Sequence, residues 1–266
     1  MKYIGVKGHR GSGKKTVAYL LGQTIEYLVE HSNQTIDAEE FRECFKLWCK
    51  DICENEDTIY SADLRHVYFD SFGDAPRLLV SMLIGCQSWW LTDDSKKDKV
   101  VVCLNDFSCK DYGDDDIDVT LFSADDVQRK MSELLKNNLG APVDLSKEEN
   151  IYMTLREFIL YFGMNVMQTW FGRNVWVKSY KANSDMFTNI FDDGVCRIFS
   201  DVKSPSEAKY IREKEGVIVG VVRPGHKKKD TKLSFDENLP DDYKIKIGSN
   251  LEDLADPILD IALKII

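Results

Sequence analysis

A chain of 266 residues is long enough for one sizeable α/β domain with an insertion, and its 43% hydrophobic content supplies a core and excludes wholesale disorder. The 45 acidic and 35 basic residues give a formal net charge of −10, which argues against duplex nucleic acid as a main partner because phosphate contacts dominate such binding. No apolar run approaches the ~20 residues that a membrane span needs, so we expect no membrane partner.

The seven cysteines are odd in number, and no signal peptide pattern stands before the first strand. Both observations predict reduced thiols in a cytoplasmic protein. Cys44, Cys49 and Cys53 share a helical stretch, but their spacing fits no zinc pattern and no histidine pair accompanies them. We therefore expect no metal at these cysteines.

Residues 8–16 form the first distinctive motif, Gly-His-Arg-Gly-Ser-Gly-Lys-Lys-Thr. A strand-like run at 3–6 precedes it, and a helical pattern from Thr16 to about His31 follows. A strand that feeds a glycine-rich turn and then a helix is the context of a phosphate-binding loop. Glycines let backbone N–H groups curl around an anion, and the helix N-terminus adds further donors. The motif predicts a triphosphate site, with a chance glycine-rich turn as the alternative.

The spacing of the motif identifies its central cation. Gly8, Gly13 and Lys14 satisfy the pattern Gly-x-x-x-x-Gly-Lys, and Lys14 is expected to reach the β- and γ-phosphates. Lys15 stands where many such loops have Ser or Thr, and the hydroxyl comes one residue later, at Thr16. We therefore expect Mg²⁺ to be held through water and phosphate oxygens, as is common for this ion.

Strand and helix patterns alternate along the rest of the chain. Strands are predicted at about 3–6, 67–70, 196–200, 217–222 and 243–247. Helices are predicted at about 16–31, 37–53, 77–84, 123–138, 155–170, 207–215 and 251–266. Right-handed crossovers make this a five-stranded parallel sheet with helices on both faces, and ligands should collect beyond the carboxyl ends of its strands.

The middle of the chain reads as an insertion into this core. The core is predicted to comprise 1–86 and 151–266, and the insertion 87–150 is predicted to be partly helical. Within it, a run at 100–104 could pair with 118–122 as an antiparallel ribbon. The acidic residues 114–116 and 118 resemble a metal-binding site, but a run of charged residues is more often a solvated turn. The lysine-rich segment 223–242 is predicted to be a lid over the nucleotide, with a solvated loop as the alternative.

Five separated blocks, in order, resemble the bacteriophage deoxynucleoside monophosphate kinases, a branch of the P-loop kinases. The blocks are 8–16, 71–77, 155–158 with 162–165 and 176–178, 201–203, and 221–225. The likeness is greatest over about 196–266 and least over about 87–150. The chain departs from the family at Arg77, where Lys is common, and at Lys203, where related kinases often have Arg. It also carries Gly-Met-Asn at 163–165 where the family has Gly-Thr-Asp. These departures concern base selectivity more than the reaction.

The resemblance implies transfer of the γ-phosphoryl group of ATP to a nucleoside monophosphate, with Mg²⁺. Lys14 would follow the γ-phosphoryl group through the transition state, and the other loop residues would hold the phosphates: Gly8, Gly11, Ser12, Gly13, Lys15 and Thr16. A phage enzyme of this kind would supply deoxynucleotides in the cytoplasm of an infected host cell.

Four further side chains are candidates for charge stabilisation. Arg156 and Arg77 would clamp the monophosphate of the acceptor, because the planar guanidinium matches phosphate in a bidentate way; a structural ion pair is the alternative for each. Asp201 would organise Mg²⁺ and water or bind the acceptor, with a helix N-cap as the alternative. Arg223 would begin the lid that excludes water.

The resemblance also implies a pocket for the acceptor base. Its predicted residues are Phe72, Gly163, Asn165 and Trp176, with Lys203 nearby, although aromatic residues at such positions are more often part of a core. Two other functions remain open: a P-loop kinase of another small acceptor, and a nucleotide-binding switch or assembly module. The last normally has Ser or Thr directly after its lysine, so Lys15 weighs against it. The oligomeric state is open, with the insertion 87–150 a reasonable surface for a homodimer.

Overall fold

The computed structural model of the chain describes residues 1–9, 11–54, 64–91, 93–104, 108–111, 152–187, 194–225 and 239–266. These residues form two compact units. The first unit comprises Met1–Phe72 and Val177–Ile266, and the second comprises Gly73–Trp176.

Over the described residues of the first unit, strands and helices follow one another as the alternating pattern predicts, whereas the strands at 108–111 and 152–154 were not predicted. The strands are β1 (Lys2–Gly8), β2 (Val67–Asp70), β3 (Val100–Cys103), β4 (Ser108–Asp111), β5 (Tyr152–Thr154), β6 (Cys196–Val202), β7 (Val217–Val222) and β8 (Tyr243–Lys246). The α-helices are α1 (Lys14–Glu30), α2 (Ala38–Glu54), α3 (Asp74–Ile84), α4 (Asp94–Lys99), α5 (Leu155–Leu160), α6 (Met167–Phe171), α7 (Val175–Phe187), α8 (Pro205–Glu213) and α9 (Ala255–Ile265).

The first unit contains a five-stranded sheet in the order β2-β6-β1-β7-β8, and every neighbouring pair in it is parallel. The alternating side chains of β1 show that both faces are covered. Ile4 and Val6 lie in a core with α1, α2 and α9, whereas Tyr3 lies in a second core with α8. The predicted α/β architecture and its five parallel strands are therefore confirmed. The central position of β1 places its carboxyl end in the middle of the edge where ligands of such sheets bind.

The second unit is built on a three-stranded antiparallel sheet in the order β4-β3-β5. Its core joins this sheet to the helices on either side of it in sequence, α3 and α5. The buried residues of that core are Val80, Ile84, Cys86, Leu91, Val100, Val102, Leu104, Met153, Leu155, Phe158 and Tyr161.

The unit boundaries differ from the predicted ones. The insertion was predicted at 87–150, but the compact unit is Gly73–Trp176. The reason is the shared core, because Val80 of α3 and Leu155 of α5 pack in one cluster with Val100 of β3. These helices therefore belong with the inserted sheet.

Two other predictions differ in detail or fall outside the description. The partners of β3 are β4 and β5, whereas the predicted partner 118–122, the helix at 123–138 and the acidic residues 114–116 lie outside the described residues. Most of the predicted lid, 226–238, lies outside them as well. In the part of the chain that is described, no helix is long and apolar enough to cross a bilayer.

The predicted long helix at 155–170 is divided into three segments. After α5, residues Tyr161–Val166 adopt a π-helical turn, and α6 follows directly. Gly163 lies in the middle of this turn. Wide turns of this kind interrupt the regular hydrogen bonding of a helix and often accompany functional sites. Gly163, in the middle of the predicted helix, thus marks a widened turn.

Candidate functional site

The loop between β1 and α1 has the backbone that its glycines predict. Gly11 and Gly13 have φ values of 76° and 88°, in the left-handed region that favours glycine. A Cβ on Gly13 would lie 2.4 Å from Cδ1 of Ile247, so the position is also closed to a side chain. The backbone N–H of Ser12 donates to the carbonyl oxygen of His9 over 3.1 Å. A compact turn therefore leads into the N-terminus of a 17-residue helix, where the first N–H groups have no partner within the helix.

Lys14 folds back over this turn. Its Nζ donates to the carbonyl oxygen of His9 over 3.0 Å and lies 3.6 Å from Oδ1 of Asp201, and the side chain is 13% exposed. Burial lowers the pKa of the Lys14 ammonium below its ordinary value of 10.5, while the Asp201 carboxylate opposes that shift. The ammonium is incompletely solvated and incompletely neutralised, so an arriving polyphosphate anion would stabilise it.

Asp201 stands at the carboxyl end of β6, between two lysines. Its Oδ2 is 2.6 Å from Nζ of Lys203, and its Oδ1 faces Lys14. The alternative that Asp201 caps a helix is wrong, because Ser204 caps α8 through a capping box with Glu207. The structure thus brings three predicted site residues into one charged group.

The capping box also fixes the backbone next to Asp201. Oε2 of Glu207 accepts the N–H groups of Lys203 at 2.6 Å and Ser204 at 2.9 Å. Burial raises the pKa of the Glu207 carboxyl, and these hydrogen bonds oppose the rise. The backbone of Lys203 and Ser204, next to Asp201, is consequently held in place.

A groove of about 520 Å³ adjoins the loop. It is lined by Arg223, Pro224, Ile247, Gly248 and Ser249, which follow the carboxyl ends of β7 and β8. The position that a Cβ of Gly13 would take is 3.7 Å from Nη2 of Arg223, so the groove starts beside the loop. A flat ring could stack on the guanidinium plane of Arg223 and make apolar contact with the side chain of Ile247. The groove makes Ile247 a site residue that the sequence analysis missed.

The donors at the loop fit Mg²⁺ in one specific way. No group of three or more His, Cys, Asp or Glu side chains is found among the described residues, so nothing there forms a protein cage for a metal. The carboxylate of Asp201 and the hydroxyl of Thr16, in the first turn of α1, are the candidate ligands, while the hydroxyl of Ser12 in the same loop is buried. This sparse set fits an ion that keeps its waters and binds mainly to substrate phosphates.

A buried lysine near the carboxyl end of β1 was also missed. Lys7 donates to the carbonyl oxygen of Leu239, and its Nζ is 3.8 Å from Oδ2 of Asp241. It thereby ties β1 to the residues that lead into β8. A charged residue at the end of an apolar strand is visible in the sequence, but its partner, more than 230 positions away, is not.

In the second unit, both predicted phosphate-clamping arginines contact carboxylates. Nη1 of Arg77 is 2.8 Å from Oδ1 of Asp74, one turn earlier in the chain. Arg156 binds Asp98 in a two-point manner: its Nε donates to Oδ1, and its Nη2 donates to Oδ2 over 3.0 Å. Both arginines therefore form the ion pair that was the alternative. At Arg156, the two-point geometry of this ion pair is the same as the one by which a guanidinium binds phosphate.

The π-helical turn of the second unit is held by Trp176. The indole Nε1 donates over 2.9 Å to the carbonyl oxygen of Gly163, and Trp176 is only 9% exposed. Asn165 lies in the same turn. Trp176 therefore positions the backbone of this turn and exposes little ring surface for a base.

Phe72 is a core residue of the first unit. It is 2% exposed, stacks on Phe199 with ring centroids 4.6 Å apart, and meets Tyr180 and Tyr210 edge-on. The predicted role of Phe72 in base stacking does not agree with this burial. Among the residues predicted for the base pocket, Gly163 and Trp176 are thus in contact, and Phe72 belongs to a core of the first unit.

A buried polar cluster that the sequence analysis did not anticipate borders Phe72. The hydroxyl of Tyr180 donates to Oδ2 of Asp70 over 2.8 Å and accepts from Nη1 of Arg197 over 2.7 Å. Nε of Arg197 also lies 3.2 Å from Oδ2 of Asp70. Burial raises the pKa of the Tyr180 hydroxyl, and the Asp70 carboxylate adds to the rise. The cluster joins α7 to β2 and β6.

Comparison with models of protein families and with curated proteins found no match to this chain.

The pKa of Lys14 makes a testable prediction. Inorganic tripolyphosphate should bind the loop, and its affinity should fall as the pH rises through the pKa of Lys14 in the free protein. Because burial places that pKa below 10.5, the fall should begin below 10.5. The measurement is calorimetric titration across the alkaline range, with circular dichroism to verify folding. Lys14→Gln should bind more weakly and lose this fall, and the same pH profile in both proteins would contradict the assignment.

A second prediction separates structure from function at Gly163. A Cβ there would make only ordinary contacts, 3.9 Å from Cβ of Pro76 and 3.9 Å from Nε1 of Trp176. Gly163→Ala should therefore keep or raise the unfolding free energy, by up to about 1 kcal/mol, because alanine loses less backbone entropy. If a ligand approaches this backbone closely, the variant should nevertheless bind that ligand at least several-fold more weakly. Unchanged binding, with unchanged stability, would remove Gly163 from the site.

Proposed function

We propose that the chain is an ATP-dependent kinase that converts (deoxy)nucleoside monophosphates to diphosphates, in the supply of deoxynucleotides for phage DNA synthesis. The proposal includes a P-loop kinase fold, because a five-stranded parallel sheet carries the glycine-rich loop at the carboxyl end of its central strand. The resemblance of five sequence blocks to the bacteriophage deoxynucleoside monophosphate kinases supports the choice of acceptor.

The observation that carries the proposal is the position of Lys14. The loop presents N–H donors at the start of α1, and the Lys14 ammonium is held directly over it by a carbonyl oxygen and the more distant Asp201. Phosphate oxygens are stronger partners for an ammonium than a carbonyl oxygen is. Binding of a triphosphate would therefore draw Lys14 away from His9 and towards the transferring group.

Phosphoryl transfer requires little covalent help, so positioning and positive charge account for most of the catalysis. The loop N–H groups from Gly8 to Thr16 would hold the phosphates, and Lys14 would stabilise the charge that develops on the γ-phosphoryl group. Arg223 is the second cation beside the loop and would act on the same charge. Its groove would receive the adenine, which stacks on the guanidinium.

Mg²⁺ would neutralise negative charge on the β- and γ-phosphates, with Thr16 and Asp201 as its nearest protein groups. Lys203 would hold the Asp201 carboxylate in place, since the two groups are 2.6 Å apart. In the second unit, Arg156 and Arg77 would bind the monophosphate of the acceptor. The two-point geometry already seen at Arg156 is the one that a phosphate requires.

The experiment is ADP release from Mg-ATP with each ribo- and deoxynucleoside monophosphate in turn. Acceptor-dependent ADP release is expected, and Lys14→Ala should lower kcat by at least about 100-fold because charge stabilisation in the transition state is lost. Lys50→Ala is the matched control, since this lysine lies on the exposed surface of α2. It should retain the wild-type rate.

Other results would favour the other functions. ADP release that depends on a different small acceptor would indicate a kinase of another metabolite. ATP binding with no dependence on any acceptor would contradict the proposal and favour a nucleotide-binding switch or assembly module.

A further inference from the structure

Asp70 is the last residue of β2, at the carboxyl edge of the parallel sheet. Phe199 of β6 lies beside it in register, and Asp201 follows two residues later on β6. Because side chains alternate along a strand, Asp70 and Asp201 point to the same face of the sheet. The edge that carries Lys14 and Asp201 therefore carries a further carboxylate, to which the proposed reaction gives no role.

The two carboxylate oxygens of Asp70 have different surroundings. Oδ2 accepts a hydrogen bond of 2.8 Å from the hydroxyl of Tyr180 and lies 3.2 Å from Nε of Arg197. Within the described part of the chain, no donor makes a hydrogen bond to Oδ1. This atom keeps solvent-accessible surface, and the side chain is 27% exposed. One oxygen therefore fixes the carboxylate, and the other is open to a ligand.

Tyr180 and Arg197 also hold one another. The Arg197 side chain is only 9% exposed, and its Nη1 donates to the Tyr180 hydroxyl over 2.7 Å. A carboxylate that is fixed in this way loses little conformational entropy when its second oxygen accepts a hydrogen bond. Hydrogen bonds to an ionised acceptor are also about twice as strong as those between neutral groups. Asp70 is thus preorganised to bind a hydrogen-bond donor of a ligand.

The strand order shows on which side of the glycine-rich loop Asp70 lies. The groove residues follow β7 and β8, the loop follows β1, and Asp70 ends β2. In the order β2-β6-β1-β7-β8, Asp70 is two strands from the loop, on the side opposite the groove. Neighbouring strands are about 4.8 Å apart, so this separation is about 10 Å. If ATP occupies the groove and the loop, the group that faces Asp70 belongs to the acceptor.

We propose that Oδ1 of Asp70 accepts a hydrogen bond from the 3′-hydroxyl of the acceptor sugar, which makes Asp70 a specificity-determining residue. The inference rests on the proposed function in naming the ligand, a nucleoside monophosphate. A carboxylate repels the phosphate of such a ligand and attracts an uncharged donor. The sugar is joined directly to the phosphate, and the 3′-hydroxyl is the one hydroxyl of a deoxynucleoside monophosphate.

Asp242 provides a matched control within the same unit. Its side chain is 33% exposed, pairs with Arg212 at 3.1 Å and accepts the N–H of Ile218. It immediately precedes β8, so it lies at the amino edge of the sheet, away from the loop. Asp242→Asn therefore reports the general effect of removing an arginine-paired carboxylate.

The experiment is calorimetric titration of the full chain with a deoxynucleoside monophosphate and with the same nucleotide lacking its 3′-hydroxyl. The nucleotide is the best acceptor of the ADP-release panel or, if none is turned over, deoxyguanosine monophosphate and thymidine monophosphate in turn. An excess of a non-hydrolysable ATP analogue occupies the donor site. The measured quantity is the factor by which loss of the 3′-hydroxyl weakens binding, because a purely structural change weakens both ligands equally and leaves this factor unchanged.

The wild-type factor should be at least about 10, as for loss of a hydrogen bond to a charged group. In Asp70→Asn it should fall to about 3 or less, because the hydroxyl then meets a neutral amide. Asp242→Asn should keep the wild-type factor. The corresponding factor for ATP and its 3′-deoxy analogue should be the same in all three proteins, since the groove lies on the other side of the loop.

A second variant covers the risk that Asp70→Asn does not fold, since it leaves the buried Arg197 beside a neutral group. Asp70→Glu keeps the negative charge at Arg197 but moves the carboxylate oxygens by one methylene. Its factor should likewise fall to about 3 or less. Thermal unfolding verifies that each variant is folded.

A wild-type factor near 1, an unchanged factor in the Asp70 variant, or an equal fall in Asp242→Asn would overturn the inference and leave the kinase proposal to the ADP-release assay. Because the titration needs no phosphoryl transfer, a factor that depends on Asp70 without ADP release would sustain the role of Asp70 while the kinase proposal fails. Absence of monophosphate binding to the wild-type chain would overturn both.

Discussion

The backbone turn at Gly13 is the constraint on which the rest of the candidate site depends. Its left-handed φ of 88° turns the chain from β1 into α1, and the absence of a side chain lets Ile247 pack against it. This contact brings the segment after β8 to the loop. That segment forms one wall of the groove, and the other wall begins at Arg223. A larger residue at this position would disturb the loop, the start of the helix and the groove together.

Three of the predicted phosphate-binding cations, one in the first unit and two in the second, share a common property. Lys14 faces Asp201, Arg156 faces Asp98, and Arg77 faces Asp74, so each of these three cations stands opposite a carboxylate. Such pairs keep partly buried cations in place at moderate cost, and a multiply charged anion can replace the carboxylate. An acidic chain can in this way contain sites for anionic ligands without leaving strong positive charge uncovered.

Local patterns account for what the sequence predicted well. The five parallel strands and the glycine-rich loop follow from hydrophobic periodicity and glycine chemistry within a few residues. The unit boundary could not be predicted, because it depends on the packing of Val80 and Leu155 against one distant strand. The choice between core and pocket at Phe72 stayed open for the same reason, because the local sequence around a phenylalanine is the same in both cases. Likewise, no local signal joins Arg156 to Asp98.

The most direct measurement of the central claim is hydrogen–deuterium exchange of the backbone amides, with and without Mg-ATP. If the loop is a phosphate cradle, residues 8–16 should exchange more slowly when ATP is present, because their N–H groups then donate to phosphate oxygens. Residues 223–225 and 247–249 around the groove should be protected too. The same experiment with Lys14→Ala should show much weaker protection at equal ATP concentration. Protection by ATP confined to other parts of the chain, or none at saturating ATP, would contradict the account.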